Sequence, residues 1–240
     1  MSIQIQHLTK LYGLQKAVDD VSFSVRPGEI VGFLGPNGAG KSTTMKIATG
    51  YLAATSGQVE VNGFDVAKSP IEVRRSIGYL PEHNPLYLEM YVKEFLEFIG
   101  KLYGLKGLAL QQQVAQMIEM CGLGAEQRKK IGQLSKGYRQ RVGLAQALIH
   151  NPPVLILDES TTGLDPNQIV EIRNLIKNVG RNKTVLFSSH IMQEVEAVCD
   201  RVVVINQGKI VADRLLADLK NEGIQLETVF QQLTNRSVVQ

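Results

Sequence analysis

The sequence has no tryptophan, two cysteines and few aromatic residues, which make up 6% of its 240 residues. Cys121 and Cys199 lie far apart and form no C-x-x-C pair, so the sequence indicates neither a disulfide framework nor a cysteine-bound metal. We therefore expect reduced, buried thiols. The histidines are not spaced as a metal-binding pair either; they are His7, His83, His150 and His190.

Long hydrophobic runs are also absent. No segment approaches the roughly 20 consecutive apolar residues that a membrane-spanning helix requires. The first residues have no apolar core behind a basic start, which is the pattern of a secretory signal. These absences predict a cytoplasmic protein that would need a partner for any role in a membrane.

The chain also lacks a large excess of charge of either sign. Its 26 lysines and arginines and 23 aspartates and glutamates leave a net charge of +3. So small an excess does not favour a nucleic-acid partner. At 44% hydrophobic residues, the chain can form one sizeable core, and a largely disordered protein is excluded. A basic cluster is more typical of a solvated face than of a binding patch; it comprises Arg128, Lys129, Lys130, Lys136, Arg139 and Arg141.

Apolar residues in the first quarter of the chain follow strand patterns. They alternate with polar residues in Ile3–Ile5 and Val21–Val25, which predicts half-buried strands. The run Ile30–Leu34 is apolar almost throughout, so we expect a strand covered on both faces, as in a parallel sheet. Val59–Val61 predicts a further, edge strand, and the pair Asn62-Gly63 predicts a tight turn after it.

Helical spacing dominates the middle of the chain. It predicts helices over about 92–103, 114–121 and 136–149, the last ended by Pro152-Pro153. Strand patterns return afterwards, and alternating strands and helices favour an α/β fold with a helical insertion at about 84–150. We predict one domain over residues 1–220 and a short helical tail over 221–240. The later strands are predicted at 154–157, 184–187, 202–205 and 209–211.

A glycine-rich loop follows the buried strand and precedes a helical stretch, and it fits the phosphate-binding pattern G-x-x-x-x-G-K-[ST]. Its glycines allow backbone N–H groups to surround phosphates, and the helix N-terminus adds partial positive charge. Lys41 would reach the β and γ phosphates of ATP, and the Ser42 hydroxyl would bind Mg²⁺. The predicted nucleotide-binding residues are Gly35, Pro36, Asn37, Gly38, Ala39, Gly40, Lys41, Ser42 and Thr43.

Two carboxylates end the apolar run Val154–Leu157. Asp158 is suited to hold Mg²⁺ through water, and Glu159 is suited to orient and deprotonate the attacking water. A GTPase is the obvious alternative, but it would need an Asn-Lys-x-Asp guanine reader. Asn182-Lys183-Thr184 comes close to that pattern and then has Val185 where aspartate is required. These residues predict an ATPase.

Three further motifs make the chain resemble the ABC ATPase family. Leu134–Tyr138 resembles the signature motif, Gly163–Pro166 resembles the D-loop, and Ser188–His190 resembles the switch-histidine segment. Together with the phosphate loop and the carboxylate strand, they occur in the order the family requires and span nearly the whole chain. The resemblance implies a P-loop NTPase core with an antiparallel β subdomain and an inserted helical subdomain.

The resemblance also implies roles for individual residues. Two subunits would close head to tail around two ATP molecules, as a homodimer or with a related ATPase. Ser135 and the Gly137 amide would contact the γ-phosphate held by the other subunit, and Asp165 would bridge the seam. Within one subunit, His190 would contact the γ-phosphate and the water, Tyr12 would stack on adenine, and Val18 would pack beside the nucleotide.

Departures from the family pattern narrow the resemblance. Lys136 and Tyr138 replace glycine and glutamine of the signature, Ser160 replaces a proline, and Glu82 stands where many relatives have a glutamine that reaches the metal. The S-K-G-Y form and Glu82 resemble ATPases of ABC-2 type exporters, and Leu80–Tyr87 is most similar to the gliding-motility-associated ATPase of that group.

An exporter subunit would bind a separate integral membrane permease and lie peripherally on the inner face of the cell membrane. The alternatives are an importer subunit, which Glu82 disfavours, and a soluble ABC ATPase of the iron–sulfur assembly type, which would have no membrane partner.

Overall fold

The computed structural model describes residues 1–234. The strands in this range are β1 (Ile3–Tyr12), β2 (Gln15–Val25), β3 (Ile30–Leu34), β4 (Ser56–Val61), β5 (Phe64–Asp65), β6 (Ile77–Leu80), β7 (Val154–Asp158), β8 (Thr184–Ser189), β9 (Arg201–Asn206) and β10 (Lys209–Leu215).

Helices separate most of these strands, and one short 3₁₀ turn covers Ile131–Gln133. The α-helices are α1 (Lys41–Ala48), α2 (Pro70–Ser76), α3 (Val92–Leu102), α4 (Gly107–Met120), α5 (Lys136–Leu148), α6 (Pro166–Gly180), α7 (Met192–Val198), α8 (Leu216–Asn221) and α9 (Leu226–Thr234). None of the helices within residues 1–234 has the length and apolar character that crossing a bilayer requires.

The strands form a four-stranded antiparallel sheet in the order β2-β1-β4-β5 and a six-stranded sheet in the order β10-β9-β3-β8-β7-β6. In the larger sheet all neighbours from β9 to β6 are parallel, and β10 joins antiparallel to β9. The prediction that β4 is an edge strand is wrong, because the two-residue β5 pairs with its outer side. The predicted tight turn between these two strands is present, with Asn62 at φ 51° and Gly63 at φ 81°.

The centre of the larger sheet determines where the site lies. Every residue of β3, β7 and β8 is buried, which explains their continuous apolar runs, since parallel strands are covered on both faces. In register, Leu34 lies opposite Ser189, and Asp158 lies opposite Ser188. The carboxyl ends of these strands therefore meet at one edge of the sheet, where α/β folds bind their ligands.

The helices α3, α4 and α5 follow one another between β6 and β7 and share a buried apolar cluster that includes Phe95, Leu96, Val114 and Leu144. Their apolar residues recur every three or four positions, which places one stripe of each helix in this cluster. At the C-terminal end, Leu219 and Leu226 pack with residues of β9 in a smaller cluster. Residues 235–240 of the predicted tail lie outside the described part of the chain.

One arginine joins the two sheets. The Arg201 guanidinium donates to Glu29 Oε1 at 2.7 Å and to Asp213 Oδ1 at 2.7 Å, and it also bonds the Ser24 carbonyl on β2. The Arg201 and Glu29 side chains are 12% and 11% exposed. Burial by itself would raise the pKa of the Glu29 carboxyl, but hydrogen bonds from Arg201 and from the Arg26 amide outweigh burial, so the pKa lies below its ordinary value of 4.5.

Replacing Arg201 with methionine should lower the free energy of unfolding by about 3 kcal/mol at pH 7, because it leaves the Glu29 carboxylate buried without its cation. Urea unfolding of both proteins measures this difference. Since the lowered pKa makes the ion pair stabilising above about pH 4.5 and ineffective once Glu29 is protonated, the difference should shrink as the pH falls below that value. Lys209→Met is the control. It removes a more exposed ion pair with Asp19 and should lower the free energy of unfolding much less than Arg201→Met does.

Candidate functional site

The loop from Gly35 to Gly40 connects β3 to α1 and is shaped by its glycines. Gly38 has φ 77° and Gly40 has φ 111°, which are left-handed conformations that glycine adopts without strain. A side chain at Gly40 would also collide with the backbone, since a Cβ atom there would lie 2.6 Å from the Ala17 carbonyl oxygen. The sequence therefore needs glycine at this point to bring the loop backbone around a phosphate group.

Lys41, the first residue of α1, has its ammonium group inside this loop. The side chain is 4% exposed, and Nζ donates to the Gly35 carbonyl at 2.8 Å and to the Pro36 carbonyl at 3.2 Å. Glu159 Oε1 lies 3.3 Å from the same nitrogen. A buried cation needs such partners, and phosphate oxygens entering the loop would be stronger ones.

Ser42 and Asp158 face each other across the end of the sheet. The Ser42 hydroxyl donates to Asp158 Oδ1 at 3.2 Å, and the Ser188 hydroxyl donates to the same oxygen at 2.6 Å. Asp158 is 2% exposed. A hydroxyl and a carboxylate oxygen this close are the hard donors that Mg²⁺ prefers, so the residues present fit the predicted metal. Within residues 1–234 no group of three or more His, Cys, Asp or Glu residues is placed to hold a metal, so phosphate oxygens and water would complete the ligand set.

Glu159 follows β7 directly and has a left-handed backbone, with φ 47°. For a residue other than glycine this conformation costs roughly 1–2 kcal/mol, and such strain persists where the surroundings hold it. The Glu159 amide donates to the Ser188 side-chain oxygen at 3.0 Å, which anchors the bend. The strained backbone directs the carboxylate toward Lys41 instead of along the strand.

His190 follows β8 and approaches the same carboxylate. Its Nδ1 atom lies 3.2 Å from Glu159 Oε2, and the Glu159 side chain is 10% exposed while that of His190 is 39% exposed. The two groups that the sequence predicts to act on water are thus in hydrogen-bond contact. A carboxylate and an imidazole in contact at the mouth of a cleft form a pair suited to hold and move a proton.

A cavity of about 320 Å³ opens above the glycine-rich loop. Glu82 is exposed and belongs to its wall, so the predicted metal-binding carboxylate faces the same space as Lys41. Ala17, which the sequence analysis did not identify, also lines this cavity, whereas Val18 is fully buried beneath the loop. The lining residues are Ala17, Asn37, Gly38, Gly40, Lys41, Ser42, Thr43, Glu82 and Glu159.

Several of the predicted site residues do not line this cavity, among them Tyr12, Ser135, Gly137 and Asp165. Tyr12 is 50% exposed, with the Lys10 ammonium 5.4 Å from its ring centroid. The Ser135 hydroxyl accepts from the Tyr138 amide at 3.3 Å, which caps α5, and Asp165 Oδ1 accepts from the Gln168 amide at 3.0 Å, which caps α6.

Close packing aligns the two helix N-termini, since a Cβ atom on Gly137 would meet the Gln168 side chain at 2.5 Å. A hydroxyl and free amides at a helix start are suited to an anion. Ser135 is exposed there and is available to an anion carried by another molecule.

Comparisons with known proteins agree with this geometry. The ABC transporter family profile matches residues 18–162. The bacitracin transport ATP-binding protein of Bacillus licheniformis is 41% identical over 88% of this chain and 69% of its own length. A solved ATP-binding subunit of an ABC transporter superposes with a TM-score of 0.86 at 30% identity, covering 97% of this chain and 99% of that one.

A dimeric ATP-binding cassette solved in a post-hydrolysis state with ADP and Pi superposes with a TM-score of 0.82 at 25% identity, over 89% of this chain and 98% of that one. The predicted fold is confirmed by these matches, with its P-loop core, antiparallel sheet and inserted helices. The chain is an ATPase subunit and belongs to the ABC transporter family.

Proposed function

We propose that this chain powers an ABC-2 type exporter as a peripheral subunit on the inner face of the cell membrane, with a separate integral membrane permease. Two cassettes, homodimeric or paired with a related ATPase, enclose two ATP molecules between them. The ATPase domain comprises residues 1–220, with the helical insertion at 84–150, and a tail follows over 221–240. Within the ABC-2 type group, Leu80–Tyr87 is most similar to the gliding-motility-associated ATPase. The bacitracin transport relative supports a role in transport.

In this mechanism the residues of one cassette hold the triphosphate and prepare the water. The amides of the glycine-rich loop and Lys41 bind the β and γ phosphates, with Thr43 at the helix start. Glu159 accepts the proton of the attacking water, and His190 orients that water and the γ-phosphate. Magnesium held by Ser42, Asp158 and Glu82 would neutralise phosphate charge. Tyr12 stacks on adenine. Val18 was predicted to pack beside the nucleotide, but because it is fully buried it would support the loop from below.

The other cassette completes each site. Ser135 and the Gly137 amide contact the γ-phosphate held by the partner, and Asp165 lies at the seam. The support for this arrangement is that the capped starts of α5 and α6 pack together and do not line the cavity of their own subunit. The dimeric cassette that this chain superposes on has two subunits, as this arrangement requires.

The permease would bind in an apolar groove between the core and the inserted helices. The groove has a volume of about 390 Å³, and its wall includes Tyr51, Leu102 and Tyr103, which are 79%, 67% and 43% exposed. Exposed apolar residues grouped around a groove are typical of a protein-binding surface. His150 forms part of the floor, where its ring stacks on Tyr103 at 3.7 Å, and burial lowers its pKa to about 4, so it is neutral at pH 7.

A second cavity joins this groove to the nucleotide site, and this is the observation that carries the proposal. Tyr51, Tyr79 and Gln146 line both the groove and the second cavity, while Ser42 and Glu82 line both the second cavity and the one above the glycine-rich loop. A partner bound in the groove would therefore be connected, through the second cavity, to the residues proposed to bind metal. Movements of these residues during hydrolysis could then reach the membrane protein.

Replacing Leu102 with aspartate should reduce permease binding by about tenfold or more, because it buries a charge against an apolar partner. The measurement is affinity capture of an integral membrane permease by this chain from detergent-solubilised membranes. Basal ATP hydrolysis should stay within about twofold, since Leu102 does not line the nucleotide cavity. Leu108→Asp is the matched control on α4, because Leu108 is equally exposed at 69% and lies outside the groove.

Capture unaffected by Leu102→Asp would show that the groove is not the docking surface. Failure of the unaltered chain to capture any integral membrane protein would contradict the exporter assignment itself and would leave its ATPase activity in place.

A further inference from the structure

A buried carboxylate lies behind the candidate site and has no role in the mechanism described so far. Glu194, on α7, is 1% exposed. Its Oε2 atom accepts two hydrogen bonds of 2.7 Å, one from the Thr161 hydroxyl and one from the Ser189 hydroxyl. Its other oxygen, Oε1, has no partner in the described part of the chain, so the two hydroxyls are what compensate its burial.

The two donors sit beside the residues proposed to carry out hydrolysis. Thr161 follows Glu159 by two residues, and Ser189 directly precedes His190. Both hydroxyl-bearing residues are buried, at 3% and 2% exposure. Hydrogen bonds from hydroxyls to a carboxylate are stronger than neutral ones and gain further strength away from water. Glu194 thus ties the loop after β7 to the end of β8.

Glu159 needs such support because of its backbone. A left-handed residue other than glycine is stable only where neighbouring contacts hold it. The Ser188 hydroxyl fixes its amide at 3.0 Å on one side, and the Glu194–Thr161 bond restrains the chain two residues further on. The contact between Glu159 Oε2 and His190 Nδ1, 3.2 Å long, depends on both loops keeping their separation.

We propose that Glu194 is a positioning residue for ATP hydrolysis: it holds Thr161 and Ser189 together and thereby sets the distance between Glu159 and His190. It acts through Thr161 and Ser189 and not through direct contact with the nucleotide. The inference rests on the proposed roles of Glu159 and His190. It concerns the rate of hydrolysis and not the binding of ATP, because Glu194 does not line the phosphate cavity.

The test replaces Glu194 with methionine, which keeps the length of the side chain and removes both hydrogen bonds. We expect kcat for ATP hydrolysis to fall about tenfold, which corresponds to about 1.4 kcal/mol, while the KM for ATP and the number of nucleotide-binding sites per chain stay unchanged. Glu194→Gln keeps an oxygen that accepts from both hydroxyls, so it should restore kcat to within about threefold of the original. Glu196→Met is the control, since Glu196 is exposed on the same helix.

A double-mutant cycle separates positioning from general damage. Thr161→Val removes one of the two donors and should lower kcat by a smaller factor. Because both changes break the same link, the double variant Thr161→Val/Glu194→Met should be no slower than Glu194→Met alone. If Glu194→Met fails to fold, Thr161→Val and Ser189→Ala test the same link with smaller changes, against Thr161→Ser, which keeps the hydroxyl.

Three results would overturn the inference: kcat within twofold of the original in Glu194→Met, effects that add in the double variant, or a loss of nucleotide-binding sites equal to the loss of kcat. Glu159→Gln, assayed alongside, shows which proposal has failed. If it abolishes hydrolysis while Glu194→Met does not slow it, only the role of Glu194 is wrong.

Discussion

Replacing Glu159 with glutamine should leave ATP binding intact and slow hydrolysis by about a hundredfold or more, the scale of a lost general base. The amide has the shape of the carboxylate but cannot accept the proton of the attacking water. Lys41 keeps its bonds to the Gly35 and Pro36 carbonyls, at 2.8 and 3.2 Å, so the binding loop should keep its form. The rate of phosphate release under saturating Mg-ATP measures the effect, with Glu119→Gln, an exposed glutamate on α4, as control.

The same variant should accumulate as an ATP-bound dimer, because the ATP is not hydrolysed and each proposed site needs Ser135 of the other subunit. Gel filtration with Mg-ATP should show a doubled mass. Adding Ser135→Arg should restore the monomer, since the larger side chain would occupy the space of the partner's γ-phosphate. Hydrolysis within twofold of the original would exclude Glu159 as the base. A monomer under all conditions would contradict a site shared between two copies of this chain. The partner would then have to be a related ATPase.

Replacing Lys41 with alanine should weaken ATP binding by at least about a hundredfold, or about 2.8 kcal/mol. The reason is twofold. The variant lacks the buried ammonium that faces the β and γ phosphates, and it leaves the Glu159 carboxylate, 3.3 Å from that ammonium, to repel the nucleotide without a cation between them. Equilibrium titration with a fluorescent ATP analogue gives the dissociation constant.

Lys46→Ala is the matched control for this change. Lys46 lies on the same helix but is exposed, so its removal should change the affinity less than about threefold. Circular dichroism establishes that both variants fold. A folded Lys41→Ala protein with near-original affinity would remove the assignment of the glycine-rich loop as the phosphate site.

Features that depend only on residues adjacent along the chain could be predicted from the sequence. The glycine-rich loop could be predicted because the left-handed conformation of Gly40 and the lysine that follows it are local requirements. The apolar run of β3 predicted a strand covered on both faces, because continuous apolar runs are typical of buried parallel strands. For the helices of the insertion, the predicted ends lie within a few residues of the observed ones in all but one case. The exception was the start of α4 at Gly107, whose first residues lack the apolar spacing.

Other elements were not predicted because their sequence patterns are too short. The strand β6 has four residues and the helix α2 has seven. Both are shorter than the window of residues over which hydrophobic periodicity can be recognised. The position of β4 inside its sheet was missed for a related reason. Whether a strand lies at an edge depends on pairing with residues elsewhere in the chain, here the two residues of β5, and not on its own composition.

The contacts among the site residues could not be predicted from the sequence, because they depend on how the strands pack. Lys41, Glu159 and His190 come from three separate parts of the chain and converge because β3, β7 and β8 are adjacent and parallel. The same convergence places Ser42 and Ser188 on one oxygen of Asp158, and Thr161 and Ser189 on one oxygen of Glu194. No motif marks Glu194, since a glutamate early in a helix is common and its burial follows from packing that no local pattern encodes.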